Sequence, residues 1–161
     1  MLSIETKILN PLLGKQFPLP QHATDGSAGL DIHACLDDAV EILPGETKII
    51  DSGFAINIKD PKIMAILVAR SGLGIKKGIV IAQGAGIIDS DYHGEIKVAL
   101  WNRSEETFVV TPGDRICQML FVPVLQASLS VVSEFANKTE RGEGGLGSTG
   151  VALDQAVAEA K

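Results

Sequence analysis

The stretch KIIDSGFAINIKDPKIMAILVA, residues 48–69, decides the fold class. It holds three short apolar runs rich in Ile, separated by DSG and KDPK, residue types that favour turns. Each run is too short for a typical helix and has the composition of a buried strand. The stretch therefore predicts three successive short strands.

The same texture extends along the chain in both directions, where 17 glycines and 7 prolines punctuate the apolar runs. We expect strands at 4–9, 30–35, 40–43, 48–50, 54–58, 63–69, 79–82, 95–101, 107–110, 116–124 and 129–132. Residues 71–77 alone resemble a helical turn. The pattern predicts an all-β sandwich or barrel of many short strands.

The composition limits the functions that the chain can have. Its 161 residues fit one domain, and 45% apolar with only 4% aromatic residues predicts an aliphatic core. Lys plus Arg number 14 against 20 for Asp plus Glu, a net charge of −6. We therefore expect no broad basic face for nucleic acid and no membrane partner.

Cysteine usage and the N-terminus indicate the compartment. Cys35 and Cys117 are too few for a disulfide scaffold or a four-thiolate zinc site, and both stand among apolar neighbours. The first ten residues include Glu5 and lack the apolar core of a secretory signal. The expectation is a reduced, soluble, cytoplasmic protein.

The texture of the sequence changes at residue 137. RGEGGLGSTG at 141–150 holds five glycines and one large apolar side chain, too little to order itself by burial. We predict a β domain at 1–136, a flexible strap at 137–150, and an extension at 151–161 of unknown role.

The segment ARSGLG, residues 69–74, follows an apolar strand. Gly72 frees the backbone to turn N–H groups toward an anion, while Arg70 adds charge and Ser71 a hydroxyl. The alternative is an ordinary strand-to-helix turn with Ser71 as the N-cap.

The segment GAGIIDSDYHGEIKVALWN, residues 84–102, has two strand-like arms around DSDYHG, which we predict to form a hairpin tip. Gly84 and Gly86 would let the backbone approach a planar base closely. Asp89 could order and deprotonate a water, whereas Asp91 suits a turn. Alternatively, both carboxylates only build the turn.

Three weaker segments complete the set. Asp31 lies in AGLDIHA, where it could meet Mg²⁺ through water or, less plausibly, join a metal site with His33 and Cys35. Gln118 is the one polar residue of an apolar run and must find hydrogen bonds in the core or to a ligand. Arg141 precedes a Gly/Ser/Thr tail that suits either a phosphate strap or a plain linker.

In order and spacing, these five segments resemble the five motifs of the trimeric deoxyuridine triphosphatases (dUTP diphosphatases), over about residues 4–150. The resemblance implies a jelly-roll-like β-barrel with a Gly-rich C-terminal strap, assembled as a homotrimer whose active sites lie between subunits. It implies Mg²⁺-assisted hydrolysis of dUTP to dUMP and pyrophosphate by water attack on the α-phosphorus. That reaction keeps uracil out of DNA and supplies dUMP for thymidylate synthesis.

The same resemblance implies the site residues. Asp89 would activate the water, with Ser71 and Gln118 as further catalytic residues, and Asp31 would touch Mg²⁺ only through water. Tyr92 would pack under the deoxyribose, and the backbone of 83–86 would read uracil. The implied substrate-binding set is Arg70, Gly72, Gln83, Gly84, Gly86, Ile88, Tyr92, Lys97, Arg141, Gly145, Leu146, Gly147, Ser148 and Thr149.

Two positions depart from the family pattern. Leu146 stands where the strap usually carries a Phe that stacks on uracil, so we expect a looser strap and weaker substrate binding. Gln83-Gly84-Ala85 replaces the Asn-Leu-Val of many bacterial relatives, which leaves open any contribution from the Gln83 side chain.

Two other functions compete with this one. A dCTP deaminase of the same fold would need a catalytic glutamate on the strand after the hairpin, but IKVALWN at 96–102 contains no acid. A non-catalytic dUTP-binding regulatory module is the second alternative, and the intact Asp89 and Ser71 argue against it.

Overall fold

Twelve short strands and one helical turn form the regular structure of residues 2–145, the part of the chain that the computed structural model describes. The strands are β1 (Glu5–Ile8), β2 (Gln21–His22), β3 (Leu30–His33), β4 (Val40–Ile42), β5 (Thr47–Asp51), β6 (Phe54–Asn57), β7 (Ile63–Val68), β8 (Ile79–Ile81), β9 (Gly86–Ile88), β10 (Lys97–Asn102), β11 (Phe108–Val110) and β12 (Arg115–Pro123). The helix α1 (Ser71–Lys76) lies between β7 and β8.

The strands form four antiparallel sheets. The largest has the order β2-β3-β12-β7-β9, and the others are β5-β10-β8, β1-β6 and β4-β11. This confirms the predicted all-β, jelly-roll-like class. Within residues 2–145 the hydrogen-bonded ladders do not close into one continuous barrel.

One aliphatic core lies between the sheets, as the composition predicts. Phe54 is the single aromatic among its large side chains that are less than 2% exposed; the others are Ile, Leu and Val. Cys35 and Cys117 are free and buried, as expected. Burial raises the pKa of the Cys117 thiol to about 12, so this thiol remains protonated and behaves as a small apolar side chain.

Most predicted strands are confirmed within a residue or two. One strand of the structure was not predicted, and one predicted strand is not formed. Strand β2 was not expected, because its two residues are exposed and carry no apolar pattern. The run 129–132, predicted as a strand, is not one, and its Leu129 and Val131 are 96% and 98% exposed. An apolar run forms a strand only where a partner edge accepts its backbone hydrogen bonds.

The predicted hairpin around residues 89–94 is also wrong. Strand β9 pairs with β7, whereas β10 pairs with β5 and β8. The segment 89–96 therefore crosses from one sheet to another. Each arm has the apolar pattern of a strand, but that pattern does not identify which strand will be its partner.

The chain divides into two compact units at residues 126 and 127. The first holds all twelve strands, the helix and the core. The described part of the second, residues 127–145, is exposed and contains neither helix nor strand. Across the described chain, no helix has the length and hydropathy needed to cross a bilayer.

Candidate active site

A cavity of about 250 Å³ brings together three of the five sequence segments; we call it the Arg70 cavity. Its lining residues are Ala23, Ser27, Gly29, Asp31, Arg70, Ser71, Gly72 and Gln118. The register of the five-stranded sheet explains this convergence, because Gln118 on β12 lies opposite Asp31 on one side and Val68 on the other. Asp31, Arg70 and Gln118, which are 39 and 48 residues apart in the chain, thus meet beside one sheet.

Arg70 is held in place by the carboxylate of Asp31. The distance from Arg70 Nε to Asp31 Oδ1 is 2.9 Å, and Arg115 Nη1 lies 3.2 Å from Oδ2 of the same carboxylate. Arg70 Nη1 also donates to the carbonyl of Arg115 at 3.4 Å. These contacts use two of the five guanidinium N–H donors of Arg70, so others remain for an anion in the cavity.

Ser71 and Gly72 begin helix α1 on the rim of this cavity, and both are exposed. The N-cap is Arg70, not Ser71, and it makes no side-chain capping bond. The alternative reading of Ser71 as an N-cap is therefore wrong. A Cβ built on Gly72 would meet nothing within 4 Å, so the backbone there is open to a ligand.

Gln118 is half-buried, and its Nε2 donates to the carbonyl of Ala69 at 3.3 Å. A Cβ at Gly29 would come within 2.8 Å of Gln118 Oε1, so the amide packs directly against that glycine. One bond to the backbone orients the Gln118 amide while the side chain still lines the cavity.

The donor set fits Mg²⁺ only through water. Both oxygens of Asp31 already accept from guanidinium groups, and its side chain is 14% exposed. Between residues 2 and 145 there is no cluster of three or more His, Cys, Asp or Glu side chains that could hold a metal ion. The site with His33 and Cys35 is therefore not formed, whereas a hydrated Mg²⁺ carried by phosphate oxygens is compatible with Asp31.

A second and larger cavity, about 750 Å³, contains Asp89; we call it the Asp89 cavity. Its lining residues are Asn57, Lys59, Pro61, Ile63, Met64, Asp89, Ser90, Asp91, His93, Val124 and Gln126. Asp89 directly follows β9 and is exposed. The carboxylate is thus available to solvent and to a ligand.

The glycine turn before β9 is built for close approach. Gly84 has φ +84° and donates its N–H to the carbonyl of Ile81 at 2.9 Å, and a Cβ there would meet nothing within 4 Å. Gly86 is buried, and a Cβ there would lie 3.1 Å from the Cβ of Leu67. Gln83 and Gly84 are exposed, so one side of this turn is open to a ligand.

The side chains of two residues in the expected substrate-binding set are engaged elsewhere in the protein. Ile88 is 8% exposed and packs in the core, which leaves only its backbone for contact with a ligand. Lys97 is exposed on β10, where its Nζ lies 2.6 Å from Asp51 and 3.5 Å from Glu95. The hydrogen bond to Asp51 is the main reason that the pKa of Lys97 is raised.

The structure does not bring all expected residues into one cavity. Asp89 is absent from the lining of the Arg70 cavity, and Arg70, Ser71 and Gln118 are absent from that of the Asp89 cavity. In the second unit, Arg141 Nε donates to the carbonyl of Gly144 at 2.9 Å, and Gly145 is exposed. Leu146, Gly147, Ser148, Thr149 and the extension 151–161 lie outside the described residues.

Sequence reasoning gave no site role to several residues that line or support these cavities, although it considered His33 as a metal ligand. Arg115 shares the Asp31 carboxylate with Arg70, and buried His33 lies opposite Arg115 in the sheet. Burial lowers the pKa of His33. Asn57 and His93 reach the Asp89 cavity from different strands and loops. Arg115 and Asn57 reach these cavities through long-range strand pairing, for which the sequence gives no local signal, whereas His93 belongs to the same segment as Asp89.

A β fold with a cationic, hydroxyl-bearing cavity and an exposed carboxylate beside a glycine turn has the features of a nucleotide-binding hydrolase. The comparisons with known proteins agree and are more specific. The dUTPase family model matches residues 15–150, and the chain belongs to the dUTPase family.

Curated relatives and solved structures support this assignment. The chain is 54% identical over 150 residues to the deoxyuridine 5′-triphosphate nucleotidohydrolase of Klebsiella pneumoniae (strain 342), covering 93% of this chain and 98% of that protein. It is 55% identical, with the same coverage, to the protein of that name from Citrobacter koseri. A Staphylococcus bacteriophage 80alpha dUTPase G164S mutant with dUpNHpp superposes with a TM-score of 0.81 at 26% identity, covering 94% of this chain and all of that one.

Proposed function

We propose that the chain hydrolyses dUTP to dUMP and pyrophosphate by attack of water on the α-phosphorus. Phosphoryl transfer of this kind needs an aligned nucleophile and neutralised phosphates rather than covalent help from the protein. Consumption of dUTP keeps uracil out of DNA and provides dUMP for thymidylate synthesis.

The Arg70 cavity suits the phosphate chain. The guanidinium of Arg70 is fixed by Asp31, the Ser71 hydroxyl and the open backbone at Gly72 lie on its rim, and the Gln118 amide is oriented by Ala69. Charge-assisted donors held in fixed positions stabilise a developing negative charge at little reorganisation cost. In this proposal Ser71 stabilises charge on the bridge between the α- and β-phosphates.

Asp89 is the general base. The observation that carries the proposal is its position: exposed, directly after the glycine turn and β9, on the rim of a large cavity. A carboxylate there orients the attacking water, takes its proton, and contacts the 3′-hydroxyl of the sugar. General bases of this kind contribute about 10²- to 10⁴-fold in rate.

Mg²⁺ bound to the triphosphate would supply further neutralisation of the phosphate charge. Asp31 would contact the hydrated ion through water, because both of its oxygens already accept from arginine.

The main chain of 83–86 selects the base and Tyr92 selects the sugar. A fixed backbone presents one donor and acceptor pattern, which suits the uracil edge and leaves a cytosine edge with unpaired polar groups. The same rigid lining has no room for the 5-methyl group of thymine. The Tyr92 ring packs under the deoxyribose, where a 2′-hydroxyl would collide.

We infer a homotrimer with shared sites, which the family resemblance implies and which the separation of the two cavities supports. In one chain, Asp89 lines a cavity that lacks Arg70, Ser71 and Gln118. We infer that the Asp89 cavity of one subunit completes the Arg70 cavity of a second. The strap of a third, with Arg141 and residues 145–149, closes over the phosphates.

The experiment that tests the function presents dUTP, dCTP, dTTP and UTP in parallel with Mg²⁺ and identifies the products. We expect dUMP and pyrophosphate from dUTP and far slower turnover of the other three. Ammonia release from dCTP would favour the deaminase, and dUTP binding without pyrophosphate release would favour a regulatory module; either result contradicts the proposal.

A further inference from the structure

The end of the segment 89–96 is held by hydrogen bonds to the start of β6 and the two residues before it. Ile96 donates its N–H to the carbonyl of Phe54 at 2.9 Å, and the 1% exposed Ser52 hydroxyl donates to the carbonyl of Ile96. The N–H of Gly53 donates to the Glu95 carboxylate at 3.0 Å. The backbone at Glu95 and Ile96 is therefore a fixed support.

Tyr92 rests on that support. Its hydroxyl donates to the main-chain carbonyl of Glu95 at 2.9 Å, and its own N–H donates to the carbonyl of Asp89 at 3.1 Å. The ring is 45% exposed, so the hydroxyl bond, rather than core packing, determines where it lies. The hydroxyl and the backbone N–H of Tyr92 are therefore both hydrogen-bonded, the latter to the backbone of Asp89.

Gly94 lies directly under this ring. A Cβ built on Gly94 would come within 2.5 Å of Tyr92 Oη and 2.6 Å of Cζ, so the Tyr92 ring would have to move from its present position. Gly94 is not among the residues with positive φ, so its backbone does not require glycine. The requirement is steric: the ring occupies the space of the missing side chain.

We propose that Gly94 is a positioning residue that sets the preference for a deoxyribonucleotide. By leaving room for the Tyr92 ring against the fixed Glu95 carbonyl, it places the ring face where a ribose 2′-hydroxyl would need to sit. This inference rests on the proposed function, in which Tyr92 packs under the sugar.

The test compares Gly94→Ala with Gly26→Ala by kcat/KM for dUTP and for UTP. Alanine at 94 must push the exposed ring off Glu95, so the dUTP-over-UTP ratio should fall about tenfold or more, because a misplaced apolar contact costs at least that much discrimination. The kcat for dUTP should change little, since Asp89 is untouched. Gly26 is the matched control, because a Cβ there meets nothing within 4 Å and its φ is not positive.

Tyr92→Ala and Tyr92→Phe separate the possible failures. If Tyr92→Ala abolishes the preference while Gly94→Ala retains it, this inference is wrong and the proposed role of Tyr92 stands. If Tyr92→Ala retains the preference, the proposed role of Tyr92 fails, and this inference fails with it. Should Gly94→Ala not fold, Tyr92→Phe decides: we expect a partial loss of preference without the hydroxyl bond, and an unchanged ratio would overturn the proposal.

Discussion

The Arg70 cavity and the Asp89 cavity differ in the chemistry that each can supply. Among the described residues that line the first, the only carboxylate is Asp31, which is paired with two arginines. In the second, Asp89 is exposed, and no ion pair within residues 2–145 involves it. One cavity therefore offers charge neutralisation without a free base, and the other offers a base beside a cation, Lys59, that is already paired with Glu5.

Hydrolysis of a phosphoanhydride needs both contributions within a few ångströms of one phosphorus atom. Neither cavity provides them alone, although each is built from fixed backbone and oriented side chains. In the proposed function, the chain therefore makes two halves of a site, which an assembly of subunits would bring together. Each half can be disrupted by its own substitution. A change in the Asp89 cavity should lower kcat, and a change in the Arg70 cavity should raise KM.

The largest effect is expected in the Asp89 cavity. Asp89→Asn keeps the size of the side chain but removes the base, so kcat should fall by about 10²- to 10⁴-fold while dUTP still binds. Pyrophosphate release measures the rate, and calorimetry with a non-hydrolysable analogue measures the affinity.

Asp91→Asn is the matched control, because it removes the same charge from the same cavity. It should retain most of the activity. Turnover at the parental rate in Asp89→Asn would require another base.

A smaller effect, on binding rather than on kcat, is expected in the Arg70 cavity. Asp31→Asn removes a repulsion between carboxylate and phosphate worth about 1 kcal/mol or less in a solvated site. It also weakens the charge-assisted hydrogen bonds from Arg70 and Arg115; the one from Arg70, worth about 1.5–3 kcal/mol, orients that guanidinium. The loss of the bond that orients Arg70 costs more than the relieved repulsion between carboxylate and phosphate gains, so KM for Mg²⁺-dUTP should rise about tenfold.

Steady-state kinetics at several Mg²⁺ concentrations check this prediction, with the exposed Asp38→Asn as the control for net charge. A lower KM in Asp31→Asn would mean that repulsion is the stronger term and that Arg70 needs no orienting partner.

The smallest effect concerns the strand under the Arg70 cavity. Cys117 is fully buried, and burial raises its thiol pKa to about 12, with a further upward contribution from Asp31. A raised pKa leaves almost no thiolate at pH 8, so a thiol reagent should modify Cys117 only after unfolding. Mass spectrometry of labelled peptides measures this; rapid native labelling would mean that solvent reaches beneath the cavity.

Much of the strand content was predictable from local sequence pattern, but which strands pair with each other was not. Runs such as 63–69 and 116–124 became β7 and β12 because Ile- and Val-rich segments between turns have few other stable forms. The run 129–132 and the hairpin at 89–94 were wrong, because pairing depends on which distant edge is available.

The candidate site divides in the same way. Arg70, Ser71, Gly72 and Gln118 were identifiable as charge, hydroxyl or lone polar groups beside turns, and they share one cavity. Arg115 also stands beside a turn, but its pairing with Asp31 was not predictable because it depends on the register between β3 and β12. Gly94 likewise acts through a contact that spacing along the chain does not reveal.

Complementation between two inactive variants tests most directly whether the two cavities form one site. Asp89→Asn chains and Ser71→Ala chains are unfolded together, refolded, and compared with each variant alone. If subunits share sites, about a quarter of the sites in randomly mixed trimers receive both intact residues, and activity returns to that level. Arg70→Ala mixed with Ser71→Ala is the control and should stay inactive, because both changes lie in one cavity. No recovery in mixed assemblies of Asp89→Asn and Ser71→Ala, with mixing verified by mass spectrometry, would contradict the shared site.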